Sequence, residues 1–223
     1  MNTFILILDI IGAIAFAYSG VVVAIKHKMD LLGVILLGCI TACGGGVFRD
    51  IILGETPTLF DLPNYELLSA AITTVVLFLT FYMLRDMSFF QKRWFKTLNT
   101  ILDAIGLGVF VIIGANATIN HLDGNTSNWF MIIFLATLTA VGGGILRDLL
   151  ALRIPVIFSR HIYAVAAIVE AVLYYILYVN NCNIYASTII SLVIVVIIRY
   201  LAFKFEIDLP HVTLDEHKED IQK

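Results

Sequence analysis

Seven apolar stretches, each about as long as a bilayer is thick, constrain this chain more than any other feature of its sequence. They lie at 4–25, 31–53, 65–84, 98–119, 129–150, 162–179 and 185–203. A transmembrane helix needs about 20 mostly apolar residues. Only 14% of the residues are charged, against about 25% in soluble domains, so the chain cannot hide its apolar surface in one aqueous core. The sequence predicts an all-α integral membrane protein with seven transmembrane helices.

The basic residues outside these stretches fall on one side of the predicted topology. The first, third and fifth loops and the C-terminal tail hold eleven lysines and arginines, whereas the N-terminus and the other three loops hold none. Because basic loops stay in the cytoplasm, we predict a multi-pass protein of the cell (inner) membrane with its N-terminus outside and its C-terminus cytoplasmic. The net charge of -3 argues against a nucleic-acid partner, which needs a basic surface.

The first six stretches consist of one three-helix unit that occurs twice. TACGGGVFRDIILGETPTLF at 41–60 aligns without a gap with TAVGGGILRDLLALRIPVIF at 139–158. Upstream, LDIIGAIAFAYSG at 8–20 aligns with LDAIGLGVFVIIG at 102–114. Both copies therefore contain the motif GGGxxRD followed by a proline. Similarity at a fixed offset over segments of this length indicates an internal repeat.

The repeat divides the chain into four regions. We expect a first three-helix repeat at 1–87, a second at 98–180, a seventh transmembrane helix at 184–204 and a polar cytoplasmic tail at 205–223. Because each copy holds three spans, an odd number, the two copies cross the membrane in opposite directions. Inverted repeats of this kind place transport pathways at their shared interface. The seventh helix is expected at the periphery or in an oligomer contact.

Each motif begins with three consecutive glycines in the middle of a predicted span. They are Gly44, Gly45 and Gly46 in the second span and Gly142, Gly143 and Gly144 in the fifth. One interpretation is close helix packing, because small residues let backbones approach each other in lipid. The other is a break or kink whose freed carbonyl groups face a water-filled cavity. We favour the break, since a GxxxG pattern suffices for packing whereas three adjacent glycines cover every side of a helix.

A break would aim carbonyl groups and the negative dipole end of a half-helix at the gap, which suits a cation. Thr41 and Thr139 each lie three residues before a triplet and are candidates to add hydroxyl oxygens. A membrane threonine also often bonds to its own helix backbone, and the sequence leaves both interpretations open. No metal is expected beyond transient permeant monovalent cations.

Charged residues within the spans repeat as well, and such residues are functional candidates by default. Asp9 and Arg49 lie near the predicted outer ends of the first two spans, and Asp103 and Arg147 repeat this arrangement at the cytoplasmic end. We predict the ion pairs Asp9–Arg49 and Asp103–Arg147, either direct or bridged by the aspartate that follows each arginine. These aspartates are Asp50 and Asp148. The pairs either lock helices together or form a charged gate at each mouth of a pathway.

Two further charged residues lie within spans. Glu170 is near the centre of the sixth span, and its aligned position in the first copy is Ile72. Arg199 lies in the seventh span and is expected to extend its long side chain to the cytoplasmic surface. The three cysteines and five histidines show no ligand spacing, so neither a metal centre nor a cofactor is expected.

The doubled GGGxxRD motif, the inverted three-plus-three layout and the added seventh helix resemble the bacterial branch of the TRIC (trimeric intracellular cation channel) family, whose domain is also described as a glycine transporter. The resemblance covers roughly residues 4–203. It implies a homotrimer in the lipid bilayer, a pore in each protomer, potassium as the chief permeant cation, and kinks at both triplets. Lipid regulation, which in animal members uses a lysine-containing motif, is not carried over, because Val47, Phe48 and Arg49 follow the first triplet.

Two functions of different classes remain open. The first is a potassium-permeable cation channel, favoured by the paired glycine triplets and by near-symmetric charges at both mouths. The second is a carrier of glycine or a similar small solute, because carriers also use inverted repeats. A scaffold is disfavoured, since the intramembrane charges would then have no use. An enzyme is disfavoured because the sequence shows no nucleophile–base pair and no metal cluster.

Overall fold

The computed structural model describes residues 3–84, 88–159 and 162–207, and its secondary structure there is helical. The helices are α1 (Thr3–Lys26), α2 (Leu31–Leu53), α3 (Tyr65–Leu84), α4 (Arg93–His121), α5 (Trp129–Leu150), the single-turn α6 (Val156–Ser159), α7 (Ala164–Val179) and α8 (Ile184–Lys204). Short 3₁₀ turns cover Thr58–Phe60 and Ser88–Gln91. Beyond Ile207, the predicted tail at 205–223 lies outside the described residues.

Six of the seven predicted spans correspond to helices that are long and apolar enough to cross a membrane. The exception is α7, which has 16 residues. At 1.5 Å per residue this is about 24 Å, against a hydrocarbon core of about 30 Å. Six spans are therefore supported by length and composition, and the crossing of α7 stays a prediction. Helix α4 begins at Arg93, before the predicted residue 98, because hydropathy marks the apolar stretch and not the helix end.

Polar residues in the short loops start three of the helices. Asp30 Oδ1 accepts a hydrogen bond of 2.8 Å from the backbone N–H of Gly33, and Asn128 Oδ1 accepts one of 3.3 Å from Met131. Asn183 caps α8 in the same way. Such caps satisfy backbone donors that the first helical turn leaves free. They let the chain reverse direction within a few residues, as closely packed antiparallel helices require.

The leading helices of the two repeats, α1 and α4, pack through reciprocal contacts. Gly12 of α1 lies against Phe110 of α4, where an added Cβ would be 3.2 Å from the ring Cζ. Gly106, the counterpart of Gly12, lies against the ring of Phe16, the counterpart of Phe110. The two rings are 5.0 Å apart between centroids. Contacts that exchange partners in this way are those of a twofold axis, which here relates two halves of one chain.

The second helices of the repeats, α2 and α5, cross at their glycine triplets. Both are assigned as α-helix without interruption, so the prediction that the triplets break them is wrong. An added Cβ on Gly45 would collide with the carbonyl oxygen of Thr139, and one on Gly143 with that of Thr41. The glycines therefore let two backbones touch, which is the packing interpretation. A kink that keeps the helical hydrogen bonds stays a prediction.

The remaining helices surround this central group. Helix α3 packs against α1 and α2, and α7 packs against α4 and α5. Helix α8, which is outside the repeat, packs against α4 and α7. In α3 only Ala70 and Thr74 are buried, and apolar side chains such as Leu79 and Met83 point outward. Apolar surface of this kind is what lipid covers.

Candidate functional site

Thr41 and Thr139 are buried at the crossing of α2 and α5. Thr41 Oγ1 donates a hydrogen bond of 2.5 Å to the carbonyl oxygen of Leu37, and Thr139 Oγ1 donates one of 2.6 Å to that of Leu135. Both hydroxyl protons are therefore used within their own helices, which is the second of the two roles that the sequence left open.

The aspartate of the first motif holds the segment that follows α2. Asp50 Oδ1 accepts from Arg49 Nε at 2.7 Å, and its Oδ2 accepts from the backbone N–H and the hydroxyl of Thr58 at 2.9 and 3.0 Å. Thr58 directly follows the proline of this segment, Pro57. The carboxylate thus fixes the guanidinium of Arg49 and folds the proline segment back against the end of the helix.

The second motif repeats this arrangement and adds a cation. Asp148 Oδ1 accepts from Arg147 Nε at 2.8 Å, and its Oδ2 accepts from the backbone N–H of Val156 at 2.8 Å. Arg153 also donates to Asp148 Oδ1, through Nε at 3.0 Å and Nη2 at 2.5 Å. The side chain of Asp148 is 1% exposed. Two arginines therefore bind one buried carboxylate, which compensates its charge by direct hydrogen bonds.

Arg147 joins the end of α5 to the other half of the molecule. Its Nη1 donates to Asp103 Oδ1 at 3.1 Å and to Ser19 Oγ at 2.5 Å, and Ser19 Oγ lies 3.3 Å from the same Asp103 oxygen. The predicted partners Asp103 and Arg147 are therefore in direct contact. Ser19 belongs to α1, so the contact ties the first repeat to the second.

Arg199 of α8 lies in the same network. It is 4% exposed, its Nη2 is 3.5 Å from Asp103 Oδ2, and its guanidinium carbon lies 4.4 Å from the ring centroid of Tyr163. The prediction that Arg199 reaches the membrane surface is wrong. A carboxylate and an aromatic face are both available inside the protein, and a desolvated cation over such a ring is stabilised by about 2 kcal/mol. We call Asp103, Arg147, Asp148, Arg153 and Arg199 the Arg147 network.

Arg49 has different surroundings. Within the described part of the chain, no direct ion pair joins Asp9 to Arg49, so the direct form of the predicted pair is wrong and the form bridged by Asp50 stays a prediction. Asp9 of α1 and Glu66 of α3 instead line the same cavity as Arg49. Asp50 is the carboxylate that contacts the arginine. Two acidic groups are thus left to face the cavity.

This cavity, the Arg49 cavity, has a volume of about 480 Å³. It lies where α1 and α8 begin and where α2 and α4 end, and it extends to Gly46 and Thr139 at the helix crossing. Its charged lining residues are Asp9, Arg49, Asp61 and Glu66. Three carboxyl groups against one arginine make it acidic.

A second cavity, the Arg147 cavity, has a volume of about 280 Å³ and lies at the opposite end of the helices. It shares no lining residue with the Arg49 cavity. Its ionisable lining residues are Lys26, Lys96, Asp103, Arg147, Arg153 and Arg199. Five cationic side chains against one carboxylate make it basic. The helix crossing lies between the two cavities.

Sequence reasoning missed Ser19, Glu66 and Tyr163. The repeat does not mark Ser19 or Glu66, because Ser19 aligns with Ile113 and Glu66 aligns with Ala164. Glu66 was detectable, because it is a carboxyl residue at the start of a predicted span and meets the same criterion as Asp9. Ser19 and Tyr163 gave no such signal, since uncharged polar residues are common in membrane helices.

Comparison with known proteins agrees with this architecture. A family model described as "Glycine transporter" matches twice, at residues 6–83 and 100–179. The UPF0126 inner membrane protein YadS of Escherichia coli K12 is 36% identical over 211 residues, which is 94% of this chain and 97% of the relative.

Solved structures are similar over the same extent. A structure that explains conductance through TRIC cation channels is 33% identical, with a TM-score of 0.79 over 94% of this chain and 97% of that one. The trimeric intracellular cation channel orthologue from Rhodobacter sphaeroides is 28% identical, with a TM-score of 0.80 over 92% and 100%. With these matches spanning both repeats, the chain belongs to the bacterial TRIC family, the family whose model is described as a glycine transporter.

Proposed function

We propose that this protein is a channel for monovalent cations, permeable to potassium, with one pathway in each protomer at the interface of the two inverted repeats. The observation that carries the proposal is the Arg49 cavity, an acidic funnel that ends at the crossing of α2 and α5. A cleft lined by one sign of charge, with low-dielectric walls, raises the local concentration of the opposite ion. The solved relatives named as cation channels support this function.

In this proposal the Arg49 cavity is the entrance for cations. Asp9 and Glu66 attract the ion, while Asp50 neutralises Arg49 and keeps it from repelling the ion. The basic loops of the chain favour an entrance on the outer side of the membrane. The polar side chains of Asn64 and Asn116 also line the cavity and can replace part of the water shell of an entering ion.

The Arg147 network is the closed gate. Arg147 and Arg199 occupy Asp103, which is the carboxylate that lines the Arg147 cavity, and Lys26 and Lys96 add positive charge. A cation leaving the helix crossing would meet only positive groups and an occupied carboxylate. Opening therefore requires that both Arg147 and Arg199 leave Asp103, which would expose the carboxylate to the pathway. The assembly that we propose is a homotrimer, as in the relative named trimeric.

Planar-bilayer recording of the purified protein under a KCl gradient tests the channel. We expect unitary currents that reverse near the potassium equilibrium potential. In the double variant Asp9→Asn/Glu66→Gln, conductance should fall several-fold at low salt and little at high salt, because salt screens the attraction of the entrance. Glu55→Gln is the matched control, since Glu55 is on the same end of the molecule without lining the cavity. Reversal at the chloride potential would exclude a cation channel.

A carrier of glycine is the second candidate, and the same cavity favours it. Arg49 could hold the carboxylate of a small amino acid, and Asp9 or Glu66 could hold its ammonium group. The description of the family model points the same way. Uptake of labelled glycine into proteoliposomes separates the two candidates. Saturable uptake without unitary currents would replace the channel by a carrier, and currents without uptake would exclude the carrier.

A further inference from the structure

Glu170 of α7 has no part in the proposed pathway, and its surroundings are unusual. The residue is 0% exposed, and neither carboxyl oxygen has a hydrogen-bond partner within the described residues. Buried side-chain polar atoms are nearly always hydrogen-bonded. An ionised carboxylate without a partner in an apolar interior is so costly that the group takes up a proton instead. The carboxyl group of Glu170 is therefore neutral.

The space for this carboxyl group is made by a glycine. A Cβ added to Gly108 of α4 would be 3.0 Å from Glu170 Oε1, and 2.7 Å from both Leu192 Cδ1 and Val195 Cγ1 of α8. Glu170 thus lies in a seam where α4, α7 and α8 meet. The two α8 side chains nearest to this point, Leu192 and Val195, are apolar and offer the carboxyl group no partner.

The charged groups of the surrounding helices are occupied elsewhere. Asp103 of α4 is five residues from Gly108, and Arg199 of α8 is four residues from Val195, and the two are joined in the Arg147 network. Arg147 and Asp148 of α5 belong to the same network. The other ionisable residues of α7 are Tyr174, Tyr175 and Tyr178, and Tyr163 lies just before the helix. No described hydrogen bond or ion pair joins any of these groups to Glu170.

Asn116 and Tyr174 join the Arg49 cavity to the face of α7 that carries Glu170. Asn116 of α4 lines the cavity, and its Nδ2 donates a hydrogen bond of 2.7 Å to the hydroxyl oxygen of Tyr174. Because Asn116 is the donor in this bond, the hydroxyl of Tyr174 keeps its own proton. Tyr174 is fully buried and lies four residues after Glu170, on the same face of α7 and about 6 Å along its axis.

We propose that Glu170 is a proton-binding site inside the membrane, which exchanges its proton with the Arg49 cavity by way of Tyr174 and Asn116. The site depends on the contacts of α4, α7 and α8 and not on the ion that the protein conducts. Loss of the proton would leave a charge in an apolar seam, so α8 would have to separate from α4 or water would have to enter. Proton binding at Glu170 thereby stabilises the docked position of α8.

Infrared difference spectroscopy of the full-length protein in lipid tests the proton directly. At neutral pH, the wild-type spectrum minus that of Glu170→Gln should show the carbonyl stretch of one protonated carboxyl group, at the high frequency of a group with weak hydrogen bonding. Glutamine resembles the neutral acid, so the variant should keep its unfolding temperature. If the glutamine variant does not fold, Glu170→Met, whose side chain has a similar volume, replaces it, and the wild-type spectrum minus that of Glu170→Met should show the same carbonyl band. A carboxylate band in place of the carbonyl band would overturn the proposal.

Transfer to D₂O tests the route. The carbonyl band should shift on deuteration in the wild type, and the shift should be at least ten times slower in Tyr174→Phe and Asn116→Leu. Glu66→Gln, which removes a carboxyl group of the cavity outside this line, should leave the rate unchanged. A band that never shifts would overturn the exchangeable site, and an equal rate in all variants would overturn the route. Because no current is measured, failure here is separate from failure of the channel proposal.

Discussion

At one end of the molecule Arg49 contacts Asp50 and lines an acidic cavity with Asp9 and Glu66, whereas at the other end the equivalent Arg147 contacts Asp103, Asp148 and Ser19 and lines a basic cavity. The position that follows each motif shows how the difference arises. Arg153 donates to the motif aspartate at the sealed end. Its counterpart is Glu55, which contacts His121 instead. The replacement of Arg153 by Glu55 in the first repeat thus removes a cation from the motif aspartate and adds an anion near it.

Some contacts are the same in both copies of the repeat, and others differ between them. Both copies use the motif aspartate to fold back a proline segment, and both use the second glycine of the triplet to touch a threonine carbonyl. These contacts hold the helices. Residues without an equivalent, such as Ser19, Glu66 and Arg199, lie at the cavities and make the two ends different. The repeat therefore supplies the packing of the helices, and its mismatches supply the difference in charge between the two cavities.

The largest effect is expected where the two halves are alike. Gly45→Ala and Gly143→Ala each place a methyl group against a backbone carbonyl of the facing helix. Neither carbonyl can move without shifting its helix. In both variants the free energy of unfolding should therefore fall by more than about 3 kcal/mol, beyond the usual range for overpacking. Unfolding by SDS titration in mixed micelles measures the loss, and we expect it to be the same for both.

The neighbouring glycines provide the control. An added Cβ on Gly46 would be 3.8 Å from Arg49 Nη2, and one on Gly144 would be 3.4 Å from the Tyr163 hydroxyl. Gly46→Ala and Gly144→Ala should therefore fold normally. If Gly45→Ala were as stable as Gly46→Ala, then α2 and α5 would not touch at the triplets, and the helix break would again be the better explanation.

The next effect should differ between the halves. Arg147→Met leaves Asp103 with Arg199 alone and weakens the compensation of Asp148, and removal of one partner from a buried ion pair costs about 3–5 kcal/mol. Arg49→Met leaves Asp50 with both hydrogen bonds from Thr58. We expect the second loss to be about half of the first. Equal losses in the same SDS titration would mean that the Arg49 cavity is as dry as the Arg147 network.

A smaller effect should come from the residue that joins the two halves. Ser19→Ala removes the hydroxyl that accepts from Arg147 and donates to Asp103, and hydrogen bonds to charged groups contribute about 1.5–3 kcal/mol. Ser191→Ala is the control, because Ser191 bonds only the backbone of its own helix within the described residues. A Ser19 variant as stable as the Ser191 variant would show that the hydroxyl is dispensable to the network.

The sequence predicted the helices, the repeat and the contact of Asp103 with Arg147, because apolar length, alignment and intramembrane charge are local signals. It could not decide between a break and a crossing at Gly45, since glycine permits both and the facing carbonyl of Thr139 is 94 residues away. Arg199 was misplaced for a related reason. Its length would let it reach the surface, and only the folded protein shows that Asp103 and Tyr163 lie within reach.

The ion pair of Asp9 illustrates the limit of arguing from a repeat. Symmetry places Asp9 opposite Arg49 just as Asp103 is opposite Arg147, and the structure keeps the positions while changing the contacts. The signal that separates the two ends lies in single residues, such as Glu66 and Glu55, that alignment of the two copies passes over. Reading the mismatches of the repeat as carefully as its matches would have found the acidic cavity.

The smallest effect tests an asymmetry of the backbone. Helices α2 and α5 both end at a left-handed residue, Gly54 with φ 74° and Leu152 with φ 55°. A residue with a side chain destabilises the folded protein by about 1–2 kcal/mol in this conformation. Glycine avoids that strain, but its greater freedom in the unfolded chain lowers the free energy of unfolding by about 0.4–1 kcal/mol. Leu152 is 94% exposed, so Leu152→Gly should stabilise the protein by about 0.5 kcal/mol. Gly54→Ala, whose added Cβ meets no atom within 4 Å, should destabilise it by a similar amount. Opposite shifts in unfolding temperature would show that the backbone of the two ends is equivalent, and shifts of the same sign would show that it is not.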